Sequence, residues 1–306
     1  MIAMRSLIGE APVPAAVPVL AAVRATHHRG LDRLVFEFRG GLPEHHAASY
    51  VKCLVADGTG ETVAVAGDAI LRLRLFNACG GGASGAAACG ATRSTYALPA
   101  IIQVVEAGSA GSVLTFGVGL AKRVRYRMYT LNNPSRVVVD FPTPYWTVNA
   151  RVRFLDTPRE PRTATVSRPV IPPSVARGAL QRLFAGPTRE EQAAGLRFTD
   201  SHATGFSKLK IRGGVAHVHL TGDVRSDGAT FTVADEITAT LKRFPAIRWV
   251  KIYDADGRTE RPAGRTDSIP ECLEPGGTSS WRRAHLSGHA TGLKRIRRLS
   301  TAIRAR

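Results

Sequence analysis

Carboxylates are scarce in this chain: 24 Asp and Glu stand against 42 Lys and Arg among 306 residues, giving a formal net charge of +18 at pH 7. So positive a balance directs attention to anionic partners, nucleic acid or an acidic surface. Most of the cations are Arg in a chain rich in Ala and Gly, so a genomic composition bias is an equal explanation. The few acids fall mostly in turns, which leaves little from which to build the paired carboxylates of glycoside cleavage. Cysteine is sparse too: Cys53, Cys79, Cys89 and Cys272 contain no Cys-x-x-Cys pair, which argues against a zinc knuckle. No apolar run reaches the roughly 18 residues that a membrane-crossing helix needs. A Gly-x-Ser-x-Gly elbow is missing, and "GSAGS" at 108–112 reads as a hairpin turn. A thiol protease would need Cys53 or Cys272 beside a distant His, and nothing local supports one. The opening "MIAMRSLIGEAPVPAAVPVLAAVRA" carries a lone Arg5 and an apolar stretch broken by Glu10 and prolines, a poor secretion signal with no lipid-accepting Cys behind it. The expectation is that the protein stays inside or that the true start lies upstream.

What is present is enough for two cores. Hydrophobic residues make up 44% of the chain, and the length suits two ordinary domains. The first half alternates with a period of two. In "DRLVFEFRG", Leu34, Phe36 and Phe38 share one face and Arg33, Val35 and Glu37 the other; in "AILRLRLFNA", Leu71, Leu73 and Leu75 oppose Arg72 and Arg74. "ASYVKCLVA", "ETVAVAG", "IIQVVEAG", "SVLTFGVGLA", "RYRMYTL" and "SRVVVDF" read as further strands, separated by Gly-rich turns and by Asn133-Pro134-Ser135. The pattern predicts an all-β sandwich or small barrel, closed where Pro142 and Pro144 stop the last strand.

The second half changes period. "ARVRFLD" is a strand and "VSRPVIPP" a connector. Val175, Ala179, Leu180, Leu183 and Phe184 have helical spacing, with Ser174 as N-cap and Gly186-Pro187 as the stop. "FSKLKIRGGVAHVHLTG" is a hairpin turning at Gly213-Gly214. A second helix carries Val233, Ile237, Leu241 and Phe244 on one stripe, with Thr232 and Asp235 as a capping box. "IRWVKIYDADG" closes the unit, giving the order β-α-β-β-α-β with two helices on one face of a four-stranded sheet. The expected boundaries are a flexible 1–17, an all-β 18–143, an α/β 144–262 and an extended, then low-order basic 263–306.

Few residues are candidates for chemistry, and each has a plainer reading beside it. Cys79 and Cys89 bracket "CGGGASGAAAC". A disulfide there would add about 2.8 kcal/mol by loop entropy; the competing reading is two free thiols on a mobile loop. His217 and His219 lie two apart on one strand face, either the start of a zinc site or a wet hairpin face. His27-His28 and His45-His46 are adjacent pairs whose side chains diverge, as loop histidines do. In "KRVRYRMY", Arg123, Arg125 and Arg127 fall on one strand face and Val124, Tyr126 and Met128 on the other. Arginines among tyrosines suit phosphate or uronate surfaces, and equally an ordinary solvated strand face. From Gly276 onward there are eight basic residues and no acid, and Lys294, Arg295, Arg297 and Arg298 surround Leu293, Ile296, Leu299 and Ile303. That stretch reads as a solvated tail, or as a short helix drawn to anionic lipid or nucleic acid.

The stretches "LQRLFAGPT", "AAGLRF", "GVAHVHLTG" and "ITATLKRFPAIRWVKIYDADGR" resemble the GerMN module of sporulation and spore germination proteins. "HHRGLDRLVFEF", "VAGDAILRLRL" and "RYRMYTLNNPSRVVVDF" resemble the AMIN-like domain of actinobacterial proteins. The resemblance implies a non-enzymatic, extracytoplasmic protein that engages cell-wall polymer or an envelope protein, without cofactor or metal. The alternatives are a nucleic-acid or anionic-surface binder working through the basic tail and, less favoured, an accessory to a wall hydrolase.

Overall fold

The alternation in the first half does become a sandwich. The computed structural model describes residues 17–80 and 93–274. The chain divides into two compact units between Tyr145 and Trp146. In the first unit the strands are β1 (Val19–His28), β2 (Leu31–Arg39), β3 (His45–Val51), β4 (Leu54–Val55), β5 (Thr62–Val63), β6 (Ala69–Phe76), β7 (Arg93–Thr95), β8 (Ile101–Ala110), β9 (Val113–Leu120), β10 (Arg127–Leu131) and β11 (Ser135–Pro142). They form a four-stranded sheet β1-β2-β11-β10, a five-stranded sheet β3-β6-β9-β8-β7 and a β4-β5 ribbon. Leu34, Phe36 and Phe38 of β2 meet Leu71, Leu73 and Leu75 of β6 and Leu114, Phe116 and Val118 of β9 in one core. Phe36 and Phe116 touch across it with ring centroids 5.0 Å apart.

Two details differ from the sequence reading. The segment read as the end of a poor export signal is β1, paired along its length with β2. "ASYVKCLVA" and "ETVAVAG" are not whole strands; they break into β3, β4 and β5 because the 52–68 connector lies across the outside of β9. Gly117 and Gly119 permit that approach: a Cβ on Gly119 would overlap the Ala66 carbonyl oxygen, and one on Gly117 would overlap the Leu54 side chain. Leu54 is fully buried there.

The second unit holds β12 (Val148–Asp156), β13 (Thr163–Val170), α1 (Val175–Phe184), α2 (Arg189–Ala193), β14 (Leu196–Arg197), β15 (Ala203–Arg212), β16 (Val215–Gly222), α3 (Val233–Leu241) and β17 (Trp249–Tyr253). The unit is α/β, as the sequence order implies. Its strands make two three-stranded sheets, β13-β12-β14 and β15-β16-β17, rather than a single four-stranded one. "VSRPV" is the end of β13, paired residue for residue with β12, and not a connector. Helices α1 and α3 pack on β12, and one core joins them to both sheets through Phe154, Leu180, Leu183, Val218, Ile237 and Ile252.

The caps divide in the same way. Gly186 takes the left-handed conformation (φ 82) that ends α1, and Thr232 with Asp235 forms the capping box of α3. Ser174 precedes α1, but its side chain makes no capping bond. The charged run after Gly186-Pro187 is itself a helix, α2, closed by a Thr188–Glu191 capping box. Residues 263–274, expected to be merely extended, are tied to this unit: Asp267 accepts the Val250 N–H at 2.9 Å, and Leu273 enters the core fully buried.

Glu236 on α3 is fully buried. Its carboxyl oxygens accept the N–H groups of Leu155 (2.8 Å) and Thr199 (3.1 Å), joining α3 to β12 and to the loop after β14. Burial pushes its pKa up to about 8, against the pull of those two N–H donors. A carboxyl that binds its proton more tightly folded than unfolded contributes stability that declines as pH rises from the ordinary glutamate value towards 8. Comparing the thermal midpoints of wild type and Glu236→Gln across pH 4.5 to 8.5 isolates this. Wild type is expected to lose several degrees relative to the variant over that window, and parallel curves would refute it.

Candidate functional site

Two charged surfaces stand out, one in each unit. In the first, Arg127 opens β10, while Arg123 and Arg125 sit in the extended segment before it. Two tyrosines fasten that segment to β3. The Tyr50 hydroxyl donates to the Val124 carbonyl at 2.5 Å and accepts the Val124 N–H at 3.3 Å, while the Tyr126 hydroxyl donates to Ala48 O at 2.7 Å. The alternation expected from the sequence survives nonetheless: the three arginines are exposed, and Val124, Tyr126 and Met128 pack on the core.

The arginines rest on aromatic rings. The Arg123 guanidinium lies 4.6 Å from the Tyr50 centroid and that of Arg127 5.4 Å from Tyr129. Arg33 is 6.0 Å from the other partner of this cluster, the Tyr129 ring. Its guanidinium also grips Asp140 through two bonds of 2.7 and 2.9 Å. The hydrogen bonds from Arg33 hold the Asp140 carboxyl below the usual range despite burial, and Asp140 in turn raises Arg33. Asp140 is thus engaged by Arg33, and among the described residues no carboxylate lies within ion-pair distance of Arg123, Arg125 or Arg127.

In the second unit the outward face of β15-β16-β17 is a grid set by strand register. Its rows are Arg212–Val215–Trp249, Lys210–His217–Lys251 and Lys208–His219–Tyr253. The intervening residues Val218 and Ile252 turn into the core. Lys208, Lys210 and Arg212 are exposed. Lys251 is buried, with its ammonium donating to the carbonyls of Arg261 and Ala263, so it serves the 261–263 segment. The His219 ring stacks on Tyr253 with centroids 4.5 Å apart and planes 7° off parallel. His217 Nδ1 shares a hydrogen bond with the Tyr253 hydroxyl at 2.9 Å. Burial lowers both imidazoles, with Lys251 and Lys210 adding to the effect at His217 and Lys208 at His219. Both rings are therefore biased towards the neutral form.

The remaining candidates scatter. Among the described residues no group of three or more His, Cys, Asp or Glu is placed to hold a metal ion, and no helix is long and apolar enough to cross a membrane. His27 is bonded through Nδ1 to buried Asp32 at 2.6 Å. The same carboxylate accepts the Ala100 and Ile101 N–H groups, so it ties β2 to the start of β8. His45 lies on the surface, 3.7 Å from Glu44. Cys79 is exposed. Cys89 lies outside the described residues, as do Lys294, Arg295, Arg297 and Arg298.

Sequence reasoning missed Tyr50, Tyr129 and Asp140, whose roles depend on long-range pairing. It also missed Lys208, Lys210 and Arg212. Their signal was present: cations at every second position of "SKLKIR", directly before the hairpin that carries His217 and His219.

Residues 18–143 match the AMIN-like domain family, and residues 143–261 match the family described as sporulation and spore germination. No curated protein and no solved structure matches the chain.

Proposed function

We propose that this chain, an AMIN-like domain followed by a sporulation and spore germination (GerMN) domain, is a non-enzymatic binding protein of the cell envelope that engages an anionic cell-wall polymer. Domains of these two kinds are associated with envelope and sporulation-related binding, and that association supports an extracytoplasmic address. The observation that carries the reading is the row of exposed Arg123, Arg125 and Arg127, two of them seated on tyrosine rings and none in an ion pair among the described residues. Guanidinium groups held in this way keep their donors directed outward, ready for phosphate or carboxylate acceptors.

Co-sedimentation with purified cell walls, in parallel with binding to duplex DNA, tests it at low and high salt. Wild type is expected to sediment with walls, and replacing Arg123, Arg125 and Arg127 by Ser is expected to weaken that binding by about a hundredfold at low salt, at roughly 1 kcal/mol per cation near an anionic surface. The fold should be unchanged, because all three side chains are exposed. Wall binding that is indifferent to both salt and the substitutions would sink the proposal. Preference for DNA over walls would favour the nucleic-acid alternative that the net charge of +18 raises.

A further inference from the structure

We infer that the outward face of β15-β16-β17 is a second binding site, for a phosphodiester-linked anionic polymer running along β15 over Lys208, Lys210 and Arg212. The inference rests on the envelope reading for the source of the polymer but not for the site itself. Charge complementarity selects the occupant. The nine positions of the grid carry four cations and two imidazoles and no carboxylate. Among the described residues no carboxylate forms an ion pair with Lys208, Lys210 or Arg212.

Position matters as much as sign. Alternate residues of a strand stand about 6.8 Å apart on one face. The three cations therefore form a straight, evenly spaced row, which a repeating diester can follow and a single compact anion cannot occupy. Tyr253 and Lys251 are buried. The accessible part of the face is thus the β15 column with the two imidazoles behind it.

Those imidazoles make the affinity depend on pH. The charged groups facing them are Lys208, Lys210 and Arg212 from β15 and Lys251 from β17, with Tyr253 as the polar neighbour. All four charges are positive and oppose protonation of His217 and His219. A bound diester, which stays ionised throughout, offsets that repulsion and favours the protonated rings. Binding therefore strengthens as pH falls.

The experiment titrates full-length protein with poly(glycerol phosphate) at pH 7.5 and 5.5 over a range of salt, with a single-stranded oligonucleotide of equal phosphate count and a uronate polymer alongside. Three engaged phosphates give a log–log salt slope of about −2. Replacing Lys208, Lys210 and Arg212 by Ser is expected to cost roughly a hundredfold in affinity at low salt. Lowering the pH should tighten binding about fivefold in wild type and leave the His217→Asn/His219→Asn variant unchanged. An unaltered affinity in the triple Ser variant overturns the site. Tighter binding of the oligonucleotide or of the uronate polymer overturns the ligand class. Retained poly(glycerol phosphate) binding by a protein that fails to sediment with walls would count against the envelope reading and leave this site standing.

Discussion

Gly119→Ala is expected to destabilise the first unit by about 3 kcal/mol or more. The added methyl would overlap the Ala66 carbonyl oxygen and come within 2.9 Å of the Val65 side chain. A backbone carbonyl cannot rotate away as a side chain can, so either the connector lifts off the sheet or β9 bends. Lifting would expose Leu54, now fully buried. Gly117→Ala supplies a graded control. Its methyl would meet the end of the Leu54 side chain, which can adjust. The smaller loss is therefore expected at 117. Chemical denaturation of the two variants orders them, and equal stability of Gly119→Ala and wild type would mean that the connector does not lie on β9.

Glu191→Ala is expected to cost the second unit about 3–5 kcal/mol, because it strands a buried guanidinium. Arg168 is 1% exposed, and it donates to both carboxylate oxygens of Glu191. Its guanidinium also lies 5.7 Å from the Phe154 centroid. The same carboxylate accepts the Thr188 N–H at 2.8 Å, so one residue closes the cap of α2 and neutralises β13. Burial opposes ionisation of Glu191, but Arg168 and Thr188 outweigh it and hold the carboxyl below its usual value. A carboxyl lowered by folding contributes fully above the ordinary glutamate range, and that contribution disappears as pH falls through the lowered value. Replacing Arg168 by Met together with Glu191→Leu removes both charges, and the double variant should recover much of the loss. A Glu191→Ala protein as stable as wild type at pH 7 would refute the linkage.

The period-two alternation of Leu34, Phe36 and Phe38, and of Leu71, Leu73 and Leu75, was enough to read a sandwich, because one face of each strand is buried and the other is not. That reading faltered at Leu54 and Val63. Those short strands exist because Gly117 and Gly119 accept a crossing segment, a contact between residues far apart in sequence. β1 was hidden by its resemblance in composition to the apolar core of an export signal. In the second unit the helical stripes of α1 and α3 were legible, whereas α2 is too short for a hydrophobic period to mark it. Its one local sign was the spacing of Thr188 and Glu191. Arg123, Arg125 and Arg127 were legible as an exposed row because alternation alone exposes them. The β15 row was not, since cations on a hairpin mean little until register places His217, His219 and Tyr253 beside them.

Amide hydrogen exchange of the full-length protein with and without purified wall polymer tests most directly whether two charged surfaces carry the binding and no reactive centre does. The account predicts added protection over 123–131 and 208–219, with the polymer recovered uncleaved. Protection confined to other segments, or release of shortened polymer during the incubation, would contradict it.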